Sequence, residues 1–158
     1  MDRPTLYMET TIPSYLLAEP SSDNLSSARQ EVTRKWWRRD RNRFDVFVSD
    51  VVLEEAIEGN REAATKRRDF LGRFPMLSVT PEADALIQVY IDTKIVPAHC
   101  QRDAAHLALA TLHEMQFLCT WNFRHLANAF ALKRFRQLNE DRGLFVPQVC
   151  TPEALLGE

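Results

Sequence analysis

The stretch Thr5-Leu6-Tyr7-Met8-Glu9-Thr10-Thr11-Ile12-Pro13 decides how the chain is read. Thr5 to Met8 is a short apolar run bounded by polar residues, which predicts a strand. Thr10-Thr11 supplies capping hydroxyls, and Ile12-Pro13 places a proline where an early helical turn accepts one. Strand, turn and helix therefore follow one another without a linker, as at the start of an α/β unit. Glu9 falls at the carboxyl end of the strand.

The pattern continues outward. Ser21 to Ser27 is turn-like and leads into a helix running to about Arg43, and Asp45 to Val48 reads as a second strand. A helix from Ser49-Asp50 stops at Gly59-Asn60, and another spans about Arg61 to Arg73. Met76 to Val79 is a short strand, after which Thr80-Pro81-Glu82-Ala83 opens a helix with cap, proline and acid in order. Thr151-Pro152-Glu153-Ala154 repeats that punctuation without a matching repeat around it. Between the two copies lie a helix from about Gln101 to Met115, a strand from Phe117 to Thr120, a helix from about Phe123 to Glu140 and a strand from Val146 to Cys150. Strands alternating with helices predict an α/β domain with a mainly parallel sheet. No linker divides the chain, so residues 1–158 are read as one domain.

Composition narrows the class. With 158 residues, 45% hydrophobic, 27% charged and a formal charge of -2, the chain reads as an ordinary globular protein. No long apolar stretch or secretory leader is evident, which predicts a cytoplasmic protein with no membrane partner. Cys100, Cys119 and Cys150 are too far apart for a zinc ribbon or a C-x-x-C pair and are read as reduced and structural.

Ligands of parallel sheets sit outside the carboxyl ends of the strands, near the switch in strand order. Glu9 follows the first strand, Glu55 lies in the helix after the second, Asp103 begins a central helix and Asn122 follows the fourth strand. Converging carboxylates about 4 Å apart repel by roughly 4 kcal/mol per pair at an effective dielectric of 20, and a hard cation relieves this. Oxygen donors favour Mg²⁺ or Mn²⁺ over Zn²⁺. Each residue also has a plainer role: a strand-end carboxylate for Glu9, a solvated helix face for Glu54 or Glu55, the positive helix end for Asp103 and a helix N-cap for Asn122.

Four segments carry a resemblance: Tyr7-Met8-Glu9-Thr10-Thr11-Ile12-Pro13-Ser14-Tyr15, Val48-Ser49-Asp50-Val51-Val52-Leu53-Glu54-Glu55, Asp103-Ala104-Ala105-His106-Leu107-Ala108 and Thr120-Trp121-Asn122-Phe123-Arg124-His125-Leu126-Ala127-Asn128. In order and in span they resemble the motifs of the PIN-domain family, and in particular its VapC-like ribonuclease toxins. The resemblance implies a three-layer α/β/α sandwich, an acidic Mg²⁺ or Mn²⁺ pocket and hydrolysis of phosphodiester bonds in RNA. It also implies an antitoxin partner and a homodimer. Glu9, Glu55, Asp103 and Asn122 match the family's four metal-site positions. The resemblance favours Glu55 over Glu54, because Glu55 lies four residues before Gly59 as the family's helix acid lies before its glycine. Glu9 and Asn122 stand where many members have Asp, so Asn122 keeps open a PIN domain that binds RNA or a partner without cutting.

Thr10 and Thr120 are expected as supporting hydrogen-bond donors, and His125, one turn beyond Asn122, as a second supporting group. His99, His106 and His113 are read as packed or surface residues. Arg34, Lys35, Trp37, Arg38 and Arg39 belong to a run with six basic residues and two indoles in ten positions, a candidate RNA or partner surface. An amphipathic helix with one Trp in the core explains the same run. A receiver-like signalling domain, also α/β with an acidic Mg²⁺ pocket, is the rival of another class; it lacks the paired acids expected after its first strand.

Overall fold

The computed structural model describes residues 2–157. Five strands, β1 (Thr5–Met8), β2 (Asp45–Ser49), β3 (Met76–Leu77), β4 (Phe117–Cys119) and β5 (Gln148–Cys150), form one sheet in the order β3-β2-β1-β4-β5. Every pairing is parallel, and β1 is flanked by β2 (Leu6 opposite Val46) and β4 (Tyr7 opposite Leu118). Leu6, Tyr7 and Met8 are fully buried, as a central parallel strand covered on both faces requires.

The helices are α1 (Thr11–Leu17), α2 (Asn24–Asp40), α3 (Asp50–Ala56), α4 (Arg61–Leu71), α5 (Pro81–Asp92), α6 (Gln101–Leu112) and α7 (Ala129–Asp141). Side chains of Asp23, Ser49, Asn60, Thr80 and Asn128 cap α2, α3, α4, α5 and α7 in turn. The chain leaves β1 toward β2 and β3 on one side, then returns to place β4 and β5 on the other. The order therefore reverses at the carboxyl ends of β1 and β4, where a crevice opens. A receiver domain has the order 2-1-3-4-5; this sheet does not, which removes that rival.

Several boundaries differ from the expected ones. The helix expected from Phe123 begins only at Ala129, because Asn128, not Asn122, accepts from the backbone N–H groups of Phe130 and Ala131. The strand expected over Met76 to Val79 ends at Leu77, and the N–H of Val79 turns to the Asp50 carboxylate at 3.0 Å. The second Thr-Pro-Glu-Ala copy yields only a short 3-10 turn, Glu153–Leu155. No helix among the described residues is long and apolar enough to cross a membrane.

A buried polar knot ties α5, α6 and α7 together. The Tyr90 hydroxyl donates to Asn139 Oδ1 at 2.7 Å, and Asn139 Nδ2 donates to Thr111 Oγ1 at 3.1 Å and to the Phe145 carbonyl at 2.9 Å. Burial pushes the Tyr90 phenol up to about 12, against the hydrogen bonds it shares with Thr111 and Asn139. Asn139→Ala would strand the Phe145 carbonyl and leave the Tyr90 hydroxyl only Thr111 Oγ1 at 3.2 Å, at a cost of about 1–3 kcal/mol. Urea unfolding should show that loss, with Tyr90→Phe costing less because its partners keep each other.

Candidate active site

Glu9 is the fixed point of the crevice. Its backbone N–H donates to the Cys119 carbonyl at 3.1 Å, and its side chain is 3% exposed. Oε1 accepts from Thr11 N at 3.1 Å, Thr11 Oγ1 at 2.6 Å and Thr120 Oγ1 at 2.7 Å. Oε2 takes no such bond among the described residues. Burial raises the Glu9 pKa, opposed by the nearby His106 charge and by the Thr11 and Thr120 hydrogen bonds.

Thr10 stands at the N-cap of α1 yet caps nothing with its side chain. Its hydroxyl instead donates to Glu55 Oε1 at 2.8 Å, so a local rule yields to the site. The neighbouring Glu54 is exposed and Glu55 is half-buried.

His106 is the residue that sequence reasoning missed. Read from sequence as a packed or surface residue, it is buried, and inside the acid cluster, not in the apolar core: Nε2 lies 2.6 Å from Glu55 Oε1 and Nδ1 lies 2.6 Å from the Tyr7 hydroxyl. Tyr7 in turn meets Ser49 Oγ at 2.7 Å, and Ser49 Oγ accepts from Val52 N. With neutral His106, Tyr7 donates to Nδ1 and Nε2–H donates to Glu55; with charged His106, both nitrogens donate and Tyr7 passes its proton bond to Ser49. Both nitrogens are thus engaged, which makes His106 a positioning residue. Burial opposes its charge, yet the Glu55 hydrogen bond and the charges of Glu9, Glu55 and Asp103 prevail and raise its pKa. Glu55 is pushed up by burial, but His106, Thr10 and Arg102 outweigh this and hold it below the usual carboxylate range. The signal in the sequence was the Asp103–His106 spacing, which puts both on one face of α6.

Asp103 and Asn122 form the other wall. Asn122 Nδ2 donates to Asp103 Oδ1 at 3.3 Å, while Asn122 Oδ1 accepts from Arg124 N and His125 N, closing a turn in place of the α7 cap. Burial raises the Asp103 pKa and Glu55 adds to it, against His106, His125 and the Asn122 bond. Thr120 joins the two walls, because Oγ1 donates to Glu9 and accepts from Asn122 N at 2.9 Å. Glu55 and Asp103 line a common open cleft of about 530 Å³. His125 lies beside Asp103, with ligand atoms within 4.8 Å.

The basic run lies elsewhere. Arg38 and Arg39 are in the last turn of α2, next to the amino ends of the strands, opposite the acids. Arg34 donates to the Ala18 carbonyl at 2.7 Å and Lys35 is exposed. Trp37 is half-buried against Phe70 and Phe74, with Arg41 over its ring at 4.9 Å, while Trp36 is fully buried. The structure does not bring these residues to the acid crevice. At the crevice itself, exposed Phe123 follows Asn122, and the Arg29 guanidinium lies 5.3 Å from its ring centre.

No protein-family model matches the chain, and no curated protein sequence does. Among solved structures, VapC20 of Mycobacterium tuberculosis, described as a sarcin-ricin loop cleaving toxin, is similar with a TM-score of 0.62 at 15% identity, covering 77% of this chain and 92% of its own. VapBC2 from Rickettsia felis, bound to a DNA fragment from its promoter, aligns with a TM-score of 0.53 at 15% identity, over 93% of this chain and 98% of its own. These likenesses show the fold, which is that of VapC toxins and the PIN-like sandwich expected from the motifs.

The His106–Glu55 pair sets a pH dependence with a definite sign. A histidine whose folded pKa lies above the ordinary 6.5 contributes stability that is full below that value and is lost as pH rises through the folded pKa. His106→Gln keeps a hydrogen bond and removes the charge. In chelator, its melting deficit relative to wild type should be largest below pH 6.5 and should shrink above it. A deficit independent of pH between about pH 5 and 8 would show a His106 pKa unchanged on folding, and one that shrinks as pH falls below 6.5 would show His106 held neutral in the fold.

Proposed function

We propose that the chain is a divalent-metal-dependent endoribonuclease of the VapC toxin type. The observation that carries this reading is the convergence of Glu9, Glu55, Asp103 and Asn122, with His106, at the carboxyl edge of β1 and β4. The donor set suits Mg²⁺ or Mn²⁺: Glu9 is held through Oε1 alone, its other oxygen is without a partner among the described residues, and Glu9 and Glu55 bring carboxylate oxygens within 4.8 Å of each other. Glu9, Glu55 and Asp103 would hold the ion, with a water positioned by Asn122 completing the set. When bound, the ion supplies Lewis acidity toward the scissile phosphate and acidifies water.

The chain's own groups do the rest. Thr10, Thr11 and Thr120 fix the carboxylates before substrate arrives, which removes reorganisation from the reacting step. His106 orients Glu55 and can exchange a proton with it. Arg124, His125, Lys94 and Arg134 line an adjoining cleft of about 480 Å³ that suits the flanking phosphates. Phe123, backed by Arg29 and Trp121, offers a ring face to an unpaired base beside the cut. An antitoxin partner and a cytoplasmic setting belong to the same reading.

The direct test is cleavage of single-stranded RNA in Mg²⁺ or Mn²⁺ that stops on chelation. In matched preparations, Asp103→Asn should lower the rate at unchanged fold by at least about 10–100-fold, the range for losing even an outer partner of a metal site. Equal rates would assign the activity to a contaminant or remove Asp103 from the site. Phe123→Ala should weaken RNA binding by about 1–3 kcal/mol and leave Mn²⁺ affinity unchanged. Asn122→Asp adds a carboxylate and its repulsion, so melting in chelator should fall while the stabilisation by Mn²⁺ should exceed that of wild type. An identical Mn²⁺ shift in both proteins would place Asn122 outside the metal site.

A further inference from the structure

Beside the acid crevice lies a second group of donors with different chemistry. Cys100 Sγ, an Asp103 carboxylate oxygen and a His125 ring nitrogen lie within 4.8 Å of one another, all on half-exposed residues. Sulfur and imidazole are poor partners for Mg²⁺ and good ones for Zn²⁺. Cys100 and Asp103 stand at the N-cap and third position of α6, so their separation is set by one helical turn. His125 is held by its backbone N–H on Asn122 Oδ1 at 3.0 Å, and neither of its ring nitrogens takes a hydrogen bond among the described residues. The edge of the His99 ring approaches it, with centroids 6.4 Å apart. Cys100 and Asp103 line one open cleft and His125 the other, so an ion reaches the group from solvent.

We propose that Cys100, Asp103 and His125 form a zinc site, with water or His99 in the fourth position, and that zinc there withdraws Asp103 from the Mg²⁺ or Mn²⁺ pocket. Ligand atoms of a tetrahedral zinc sit roughly 3.3–3.7 Å apart, so modest side-chain rotations close the group around the ion. Asp103 is the shared member, because it also accepts from Asn122 at 3.3 Å. Zinc is then an inhibitor of the nuclease by competition for one carboxylate. The zinc site stands on its own donors, and only the inhibition rests on the proposed nuclease activity.

Co²⁺ titration of the full chain tests the site without any nuclease assay. Wild type should develop a sulfur-to-cobalt charge-transfer absorption that stoichiometric Zn²⁺ abolishes and excess Mg²⁺ does not. Cys100→Ala and His125→Ala should each lose it. Cys100 makes no side-chain cap to α6, so its replacement leaves the helix start intact. Absence of the band, or a band that survives Cys100→Ala and so reports Cys119 or Cys150, overturns the site. For the inhibition, RNA cleavage in Mg²⁺ should need at least tenfold more Zn²⁺ for the same block in Cys100→Ala than in wild type. Equal sensitivity overturns the link through Asp103. A chain that gives the band but cleaves no RNA in Mg²⁺ keeps the zinc site and overturns the inhibition together with the nuclease reading.

Discussion

The burial of one carboxylate governs the architecture around the crevice. Glu9 sits at the point where β1 and β4 part, and an ionised carboxylate taken out of water costs several kcal/mol unless its oxygens are satisfied. The chain meets this with three donors on one oxygen, two from Thr11 and one from Thr120. The same hydroxyls reach further. Thr11 Oγ1 accepts from Trp121 N at 2.9 Å, and Thr120 Oγ1 accepts from Asn122 N at 2.9 Å. Satisfying Glu9 therefore also fixes the loop after β4, and with it Asn122, Phe123 and His125.

A second constraint comes from the charge that gathers there. Glu9, Glu55 and Asp103 lie close enough to perturb one another or the shared His106, and a buried imidazole between them is the protein's own counterweight. Supporting it demands a polar chain through the middle of the fold, from His106 to Tyr7 to Ser49, so the central strand carries a tyrosine where an aliphatic residue would pack as well. Tyr7 in β1 and Ser49 at the end of β2 are in this way tied to the site.

Much of this was legible in the sequence, for identifiable reasons. Capping hydroxyls, prolines and short apolar runs are local signals, and they located the five strands and most helix starts. The rule that ligands of parallel sheets gather at the carboxyl ends of strands drew attention to Glu9 and Asn122, and the choice of Glu55 over Glu54 came from the resemblance. What escaped depended on contacts distant in sequence. The start of α7 moved to Ala129 because Asn122 spends its side chain on a turn and on Asp103, which nothing in its neighbours reveals. His106 looked like any histidine on a buried helix face, since its meaning lies in Tyr7 and Glu55, 99 and 51 positions away. Trp37 and the arginines beside it formed a conspicuous run, but the helix carries them to the far edge of the sheet.

The return of the chain from β3 to the opposite side of β1 has a consequence for timing. Glu9 and Thr120 are separated by 111 positions, and β4 pairs directly with the first strand. During synthesis, which adds about 5–20 residues per second, Glu9 and Thr11 are made several seconds before Thr120 exists. Until β4 docks, the carboxylate has no crevice to occupy and the acids of α3 and α6 have no common edge. The topology thus delays assembly of the acidic centre until β4 and the loop after it have been made, so that a partly made chain carries Glu9 and Glu55 without the centre they belong to.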